Sequence, residues 1–130
     1  MSIVVDRFKK IKSNISDSNV KIIAVSKTFS IEHIEPLIKY GHLHFGENKV
    51  QEAEVKWSKI TKEFNDIQLH MIGKLQSNKA KKAVELFNFI HSLDSQKLAL
   101  VLSKNEKALN KKLKYFIQVN VGSESQKSGI

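Results

Sequence analysis

Residues 21–53 read KIIAVSKTFSIEHIEPLIKYGHLHFGENKVQEA, and this stretch decides the fold. A short apolar run (Lys21–Ser26) gives way to helical spacing (Ile31–Tyr40), then to a second run (His42–Phe45) and the start of another helical pattern. A strand, a helix and a second strand in that order form a βαβ unit, whose strands lie parallel. Gly41 follows the last helical residue as a C-cap does. Pro36 should lie in the first turn of that helix or kink it.

The alternation continues outward. Further runs occupy Ile67–Ile72, Phe87–His91 and Lys114–Val121, so the five candidate strands begin at residues 21, 42, 67, 87 and 114. Between them, Val50, Ala53, Trp57, Ile60 and Phe64 share one helical stripe, and Leu98, Val101, Leu102 and Leu109 another. Asn48 followed by Gln51 reads as a capping box. An opening helix over residues 3–14 carries apolar Val4, Val5, Phe8 and Ile11. Strand–helix units at this period predict an α/β fold with about five parallel strands and intervening helices, in a single domain spanning 1–130.

Composition narrows the function classes. The chain has 130 residues, 41% hydrophobic and 27% charged, which is a globular balance. No apolar run approaches the ~20 residues of a membrane span, and the N-terminus lacks the pattern of a secretory signal. Without cysteine there is neither a disulfide framework nor a thiolate metal site. A cytoplasmic protein is expected. The net charge of +9 comes almost wholly from lysine, Arg7 being the sole arginine. Arginine's planar fork suits phosphates and guanine edges, so its scarcity argues against nucleic acid as a partner. The lysine groups at 74–82 and 104–114 read as solvated helix faces.

In parallel α/β folds, chemistry gathers at the C-terminal ends of the strands. Those ends carry Ser26-Lys27-Thr28, Gly46-Glu47-Asn48, His70 with Gly73, His91-Ser92-Leu93-Asp94, and Asn120 with Gly122. Lys27 directly follows an apolar run, which would set its amine near a low-dielectric interior and favour the neutral form used in Schiff-base chemistry. From position alone, a lysine that snorkels to solvent from the strand end is the commoner case. His70 and His91 are candidate acid–base groups, although such residues are more often hydrogen-bonded near a core edge. His42, His44 and His70 alternate without a nearby carboxylate pair, so no metal site is expected. Glu47 and Glu52 lack the partner that a hydrolytic carboxylate pair requires.

Together, AVSKT (24–28), FGENKVQEA (45–53), HMIGKLQSNK (70–79), HSLDS (91–95) and QVNVGSESQKSGI (118–130) resemble the pyridoxal phosphate homeostasis proteins, relatives of the alanine racemase N-terminal barrel. The resemblance implies a partial TIM-type (β/α) barrel that carries pyridoxal 5′-phosphate as an aldimine on Lys27. Asn48 matches a position beside the cofactor, and His70 a wall of the same pocket. The implied role is vitamin B6 homeostasis without robust catalysis, with pyridoxal phosphate-dependent apoenzymes as partners. Lys49 departs from the family, standing where relatives often carry an aromatic residue or arginine. A complete barrel takes ~250 residues. In the family, later strand ends supply the phosphate cup and the group facing the pyridine nitrogen, and neither has a counterpart here. An open five-stranded sheet would leave its first and last strands as edges available for self-association. Two alternatives stand beside this reading: a racemase-like enzyme acting on amino acids, and a five-stranded doubly wound binding module.

Overall fold

The computed structural model describes residues 2–125 and 129–130; residues 126–128 of the fifth motif lie outside the described residues. The elements alternate: α1 (Ile3–Ser13), β1 (Ala24–Val25), α2 (Ile31–Tyr40), β2 (His44–Glu47), α3 (Val50–Glu63), β3 (Gln68–Met71), α4 (Ala80–Leu86), β4 (Phe89–Leu93), α5 (Gln96–Leu109) and β5 (Lys114–Ile117). A 3-10 turn at Ser77–Lys79 leads into α4.

The strands form one sheet in the order β1-β2-β3-β4-β5, and every neighbouring pair is parallel. That order never reverses. Crossovers of constant hand therefore stack the helices on one face and curl the sheet about the other, as in a barrel. A doubly wound sheet reverses its order at a switch point, so the binding-module alternative is excluded by topology. The fold is a partial (β/α) barrel.

Side-chain alternation along the strands then sorts residues between two layers. Phe45, Leu69, Met71 and Ile90 face the helices and are buried. Trp57 of α3 meets Phe45 with ring centroids 5.0 Å apart. The α3 stripe read from sequence holds, with Val50, Ala53 and Trp57 buried and Ile60 and Phe64 packed against them. The α5 stripe is shorter than expected: Leu98 and Leu102 are buried, whereas Leu109 is exposed one residue before the left-handed Asn110 cap. Ile11 near the end of α1 is likewise exposed, while Phe8 is buried.

Several boundaries move for identifiable reasons. Gly41 adopts the left-handed C-cap (φ +108°), and the next N–H, that of His42, bonds back to the Leu37 carbonyl at 3.2 Å. His42 thus closes α2 and does not open the strand, so β2 runs two residues further than expected and includes Glu47. Pro36 lies in the second turn of α2, where it removes the N–H that would reach Glu32. The expected capping box is absent. Asn48 lies one residue before the helix boundary; the N-cap of α3 is Lys49, whose ammonium has no acceptor to offer the first-turn N–H groups and makes no cap bond.

Candidate functional site

The chain leaves β1 through a turn at Ser26–Phe29, closed by the Phe29 N–H bonding to the Ser26 carbonyl at 3.3 Å. Thr28 sits there at φ +66°, a left-handed conformation that is unusual for a β-branched residue. Ser26 points to the helix layer, where its hydroxyl donates to the Glu47 carboxylate. Lys27 follows as the first residue inside that turn.

Lys27 is exposed. This corrects the expectation of a low-dielectric setting: β1 pairs over only two residues, and the turn lifts Lys27 clear of the interior. Among the described residues, the Lys27 amine makes no hydrogen bond or ion pair. Its neighbours are held tightly. Glu47 is fully buried and accepts from Ser26 Oγ, from Trp57 Nε1 at 3.0 Å and from Lys56 Nζ at 3.0 Å. Lys56, with only 8% of its side chain exposed, also donates to the Ser26 carbonyl at 2.6 Å. On the other side of Lys27, the Thr28 N–H donates to Glu52 Oε1 at 2.7 Å. That bond holds the Glu52 carboxyl below its ordinary value, with the Lys56 charge adding to the effect.

Glu47, Lys56 and Glu52 were not legible as a set. Glu47 read as a loop residue after the second strand, and only its alternation with Phe45 in the extended β2 reveals that it faces α3. Lys56 and Glu52 lie one helical turn apart on α3, a spacing that could have drawn them together.

Asn48 follows β2 at the same end of the sheet. A Cβ built on Gly73 would stand 2.4 Å from the Asn48 carbonyl oxygen and 2.7 Å from its Cβ. The loops after β2 and β3 can approach this closely only because residue 73 is glycine. An open cleft of about 580 Å³ runs beside this contact, with Asn48, Lys49, Gly73, Lys74 and Lys79 in its lining.

His70 lies deeper, in the middle of the inner face and level with Gly46. It is 4% exposed and bridges two other imidazoles, with Nε2 3.0 Å from His44 Nδ1 and Nδ1 2.8 Å from His91 Nε2. Three neutral rings satisfy both bonds when every N–H donates in the same sense along the row. Phe89 stacks on His70 at 4.1 Å, and Phe116 stacks on His91 at 4.6 Å. Burial pushes His70 down to about 4, with the neighbouring His91 and His44 adding to the effect. Burial also lowers His91 and His44 from their ordinary value. β5 ends at Ile117, four residues short of the expected Val121, so Asn120 lies beyond the strand in a local turn, donating to the Glu124 carbonyl at 2.6 Å and accepting from its N–H at 3.2 Å.

A parallel sheet in one unreversed order places the molecule in the class of (β/α)-barrel proteins. Residues 3–130 match the alanine racemase N-terminal domain, and the chain belongs to that family. The likeness extends to particular members. The pyridoxal phosphate homeostasis protein of Buchnera aphidicola subsp. Schizaphis graminum is 39% identical over 119 residues, or 92% of this chain and 52% of that one. The structure of PipY from Synechococcus elongatus PCC7942 without PLP superposes with a TM-score of 0.89 at 40% identity, covering 95% of this chain and 57% of PipY. The PipY structure with PLP bound gives 0.86 at 39% identity, with 95% and 56% covered. The resemblance read from the five motifs is thus borne out. The chain spans about half the length of the curated relatives it matches.

Proposed function

We propose that this chain binds pyridoxal 5′-phosphate in the service of vitamin B6 homeostasis, with the Lys27 amine as the covalent attachment point and Asn48 and His70 bordering the pocket. The observation that carries the reading is the contrast at the first strand end. Ser26 and Thr28 are fixed by buried or charged partners, while the amine between them has none among the described residues. A primary amine that is positioned yet unpaired is what capture of an aldehyde requires. When bound, the cofactor supplies an aldehyde that condenses reversibly with such an amine. Relatives that carry the homeostasis name and the PLP-bound PipY structure support the same assignment.

The role is one of holding and releasing, with cytoplasmic pyridoxal phosphate-dependent apoenzymes as recipients. Turnover of an amino acid would need a free acid–base group opposite Lys27. The inner-face candidates His70 and His91 are instead bonded to one another at 2.8 Å. Mixing the chain with pyridoxal phosphate, reducing with borohydride and mapping the adduct by mass spectrometry tests the assignment. Label concentrated on Lys27 is expected; label spread evenly over the surface lysines overturns it. Exchange of a substrate α-proton in deuterated buffer would favour the racemase-like alternative.

A further inference from the structure

We infer that Glu47, Lys56 and Glu52 are positioning residues for Lys27, a clamp that fixes the backbone on both sides of the reactive amine while leaving the amine untouched. The inference rests on Lys27 being the attachment point proposed above.

Three polar groups flank Lys27, and each is tied to the same short stretch of β2 and α3. The Ser26 hydroxyl and carbonyl are held by Glu47 and by Lys56, the latter at 2.6 Å. The Thr28 N–H is held by Glu52 at 2.7 Å. The ion pairs link the three clamping side chains to each other, with Lys56 3.0 Å from Glu47 and 3.6 Å from Glu52. Trp57 donates its indole N–H at 3.0 Å to Oε2 of Glu47, the same oxygen that accepts from Ser26 and Lys56.

Such an arrangement is more than the fold needs. A strand end could be closed by ladder bonds alone, and burying a carboxylate and an ammonium together is at best weakly stabilising compared with apolar packing. Thr28 also retains a left-handed φ of +66° where glycine would be relaxed. Strain that is overdetermined by its surroundings is a signature of a preorganised site. Here the strain and the buried pair converge on one residue's backbone. Fixing that backbone restricts where the Lys27 amine can reach, which raises its effective concentration toward a ligand bound at this end of the sheet.

The two halves of the clamp make different chemical demands. Thr28 requires only an acceptor, which an amide side chain can provide as well as a carboxylate. Lys56 is nearly buried and requires the negative charge of Glu47. Glu52→Ala should therefore weaken cofactor retention at Lys27, and Glu52→Gln should restore it. Glu47→Gln should weaken it without recovery.

The test uses the full chain. Borohydride-trapped pyridoxal phosphate is quantified at Lys27 relative to exposed lysines such as Lys59 and Lys104, with melting temperature and far-UV circular dichroism recorded for each variant. Glu52 sits on the partly exposed face of α3, so its variants are expected to keep the wild-type melting profile. A fivefold or greater loss of Lys27 selectivity in Glu52→Ala, reversed in Glu52→Gln, supports the clamp. Selective labelling of Lys27 in the wild type with unchanged selectivity in both Glu52→Ala and Glu47→Gln overturns it while leaving the attachment point intact. Absence of Lys27 selectivity in the wild type itself overturns the attachment point and the clamp with it.

Discussion

Acidification should destabilise this chain in a window set by its histidine row. In the folded state His70 holds a pKa of about 4, pushed down first by burial and then by His91 and His44. An unfolded histidine titrates near 6.5. As pH falls below 6.5 the unfolded chain takes up a proton that the folded chain refuses, so stability falls as pH falls. The loss ends once pH drops below the folded value near 4. For His70 alone the linkage integral from pH 7 to pH 5 is about 2 kcal/mol, rising to about 3 kcal/mol below pH 4. His44, His91 and His42 are shifted in the same direction, so they deepen the loss without changing its sign. Trp57 is the sole tryptophan and fully buried, which makes its fluorescence a natural probe of urea unfolding. Unfolding free energies would be measured at intervals between pH 7 and pH 5, a window above the usual range of the carboxylates. The same series in His70→Gln should show a slope shallower by about 1 kcal/mol per pH unit in the lower half of that window. Parallel curves for the two proteins would refute the assignment of the pH dependence to His70. Stability that rises on acidification would refute the burial argument altogether.

Other consequences concern the network, the loop contact and the edge. Glu47→Ala strands the Lys56 ammonium and the Trp57 indole N–H in a dry site and should cost about 3–5 kcal/mol in urea unfolding; a loss near zero would mean that water reaches the pair freely. Gly73→Ala places a methyl against the Asn48 backbone, which cannot yield as a flexible side chain can, and should cost about 1–3 kcal/mol. Amide shifts concentrated at Asn48 and Gly73 would mark the displaced loops, and unchanged spectra would argue against the contact. The β5 edge exposes Phe116 at 53% and Ile117 at 64%. Concentration-dependent association is expected in sedimentation velocity, and Ile117→Lys should reduce it; a monomer at all concentrations would count against edge pairing.

How much of this was legible in the sequence differs from element to element. The five strands could be read because each is a short apolar run between helical spacings, and the Trp57 stripe because helical geometry is local. The start of β2 could not be read, since it depends on His42 being drawn into the α2 cap after Gly41. Misplacing that boundary also hid Glu47, whose burial follows from its phase with Phe45. Lys27 and Asn48 stood out at strand ends, but the exposure of Lys27 depended on how briefly β1 pairs. His70 was visible as a polar residue in an apolar run. Its bonds to His44 and His91 join three strands through register, which periodicity along one chain does not encode.

The sequence by itself determined the succession of strands and helices, the parallel sheet, and the lysine that closes the first strand. These follow from local periodicity and from connections too long for hairpins. Only the tertiary structure decided that the strands run in one unreversed order, that Glu47, Lys56 and Glu52 converge on the backbone around Lys27, and that three histidines form a single row. The physical reason is distance along the chain. Those contacts bridge residues separated by whole strand–helix units, and the pairing that joins them is chosen by burial in the assembled sheet.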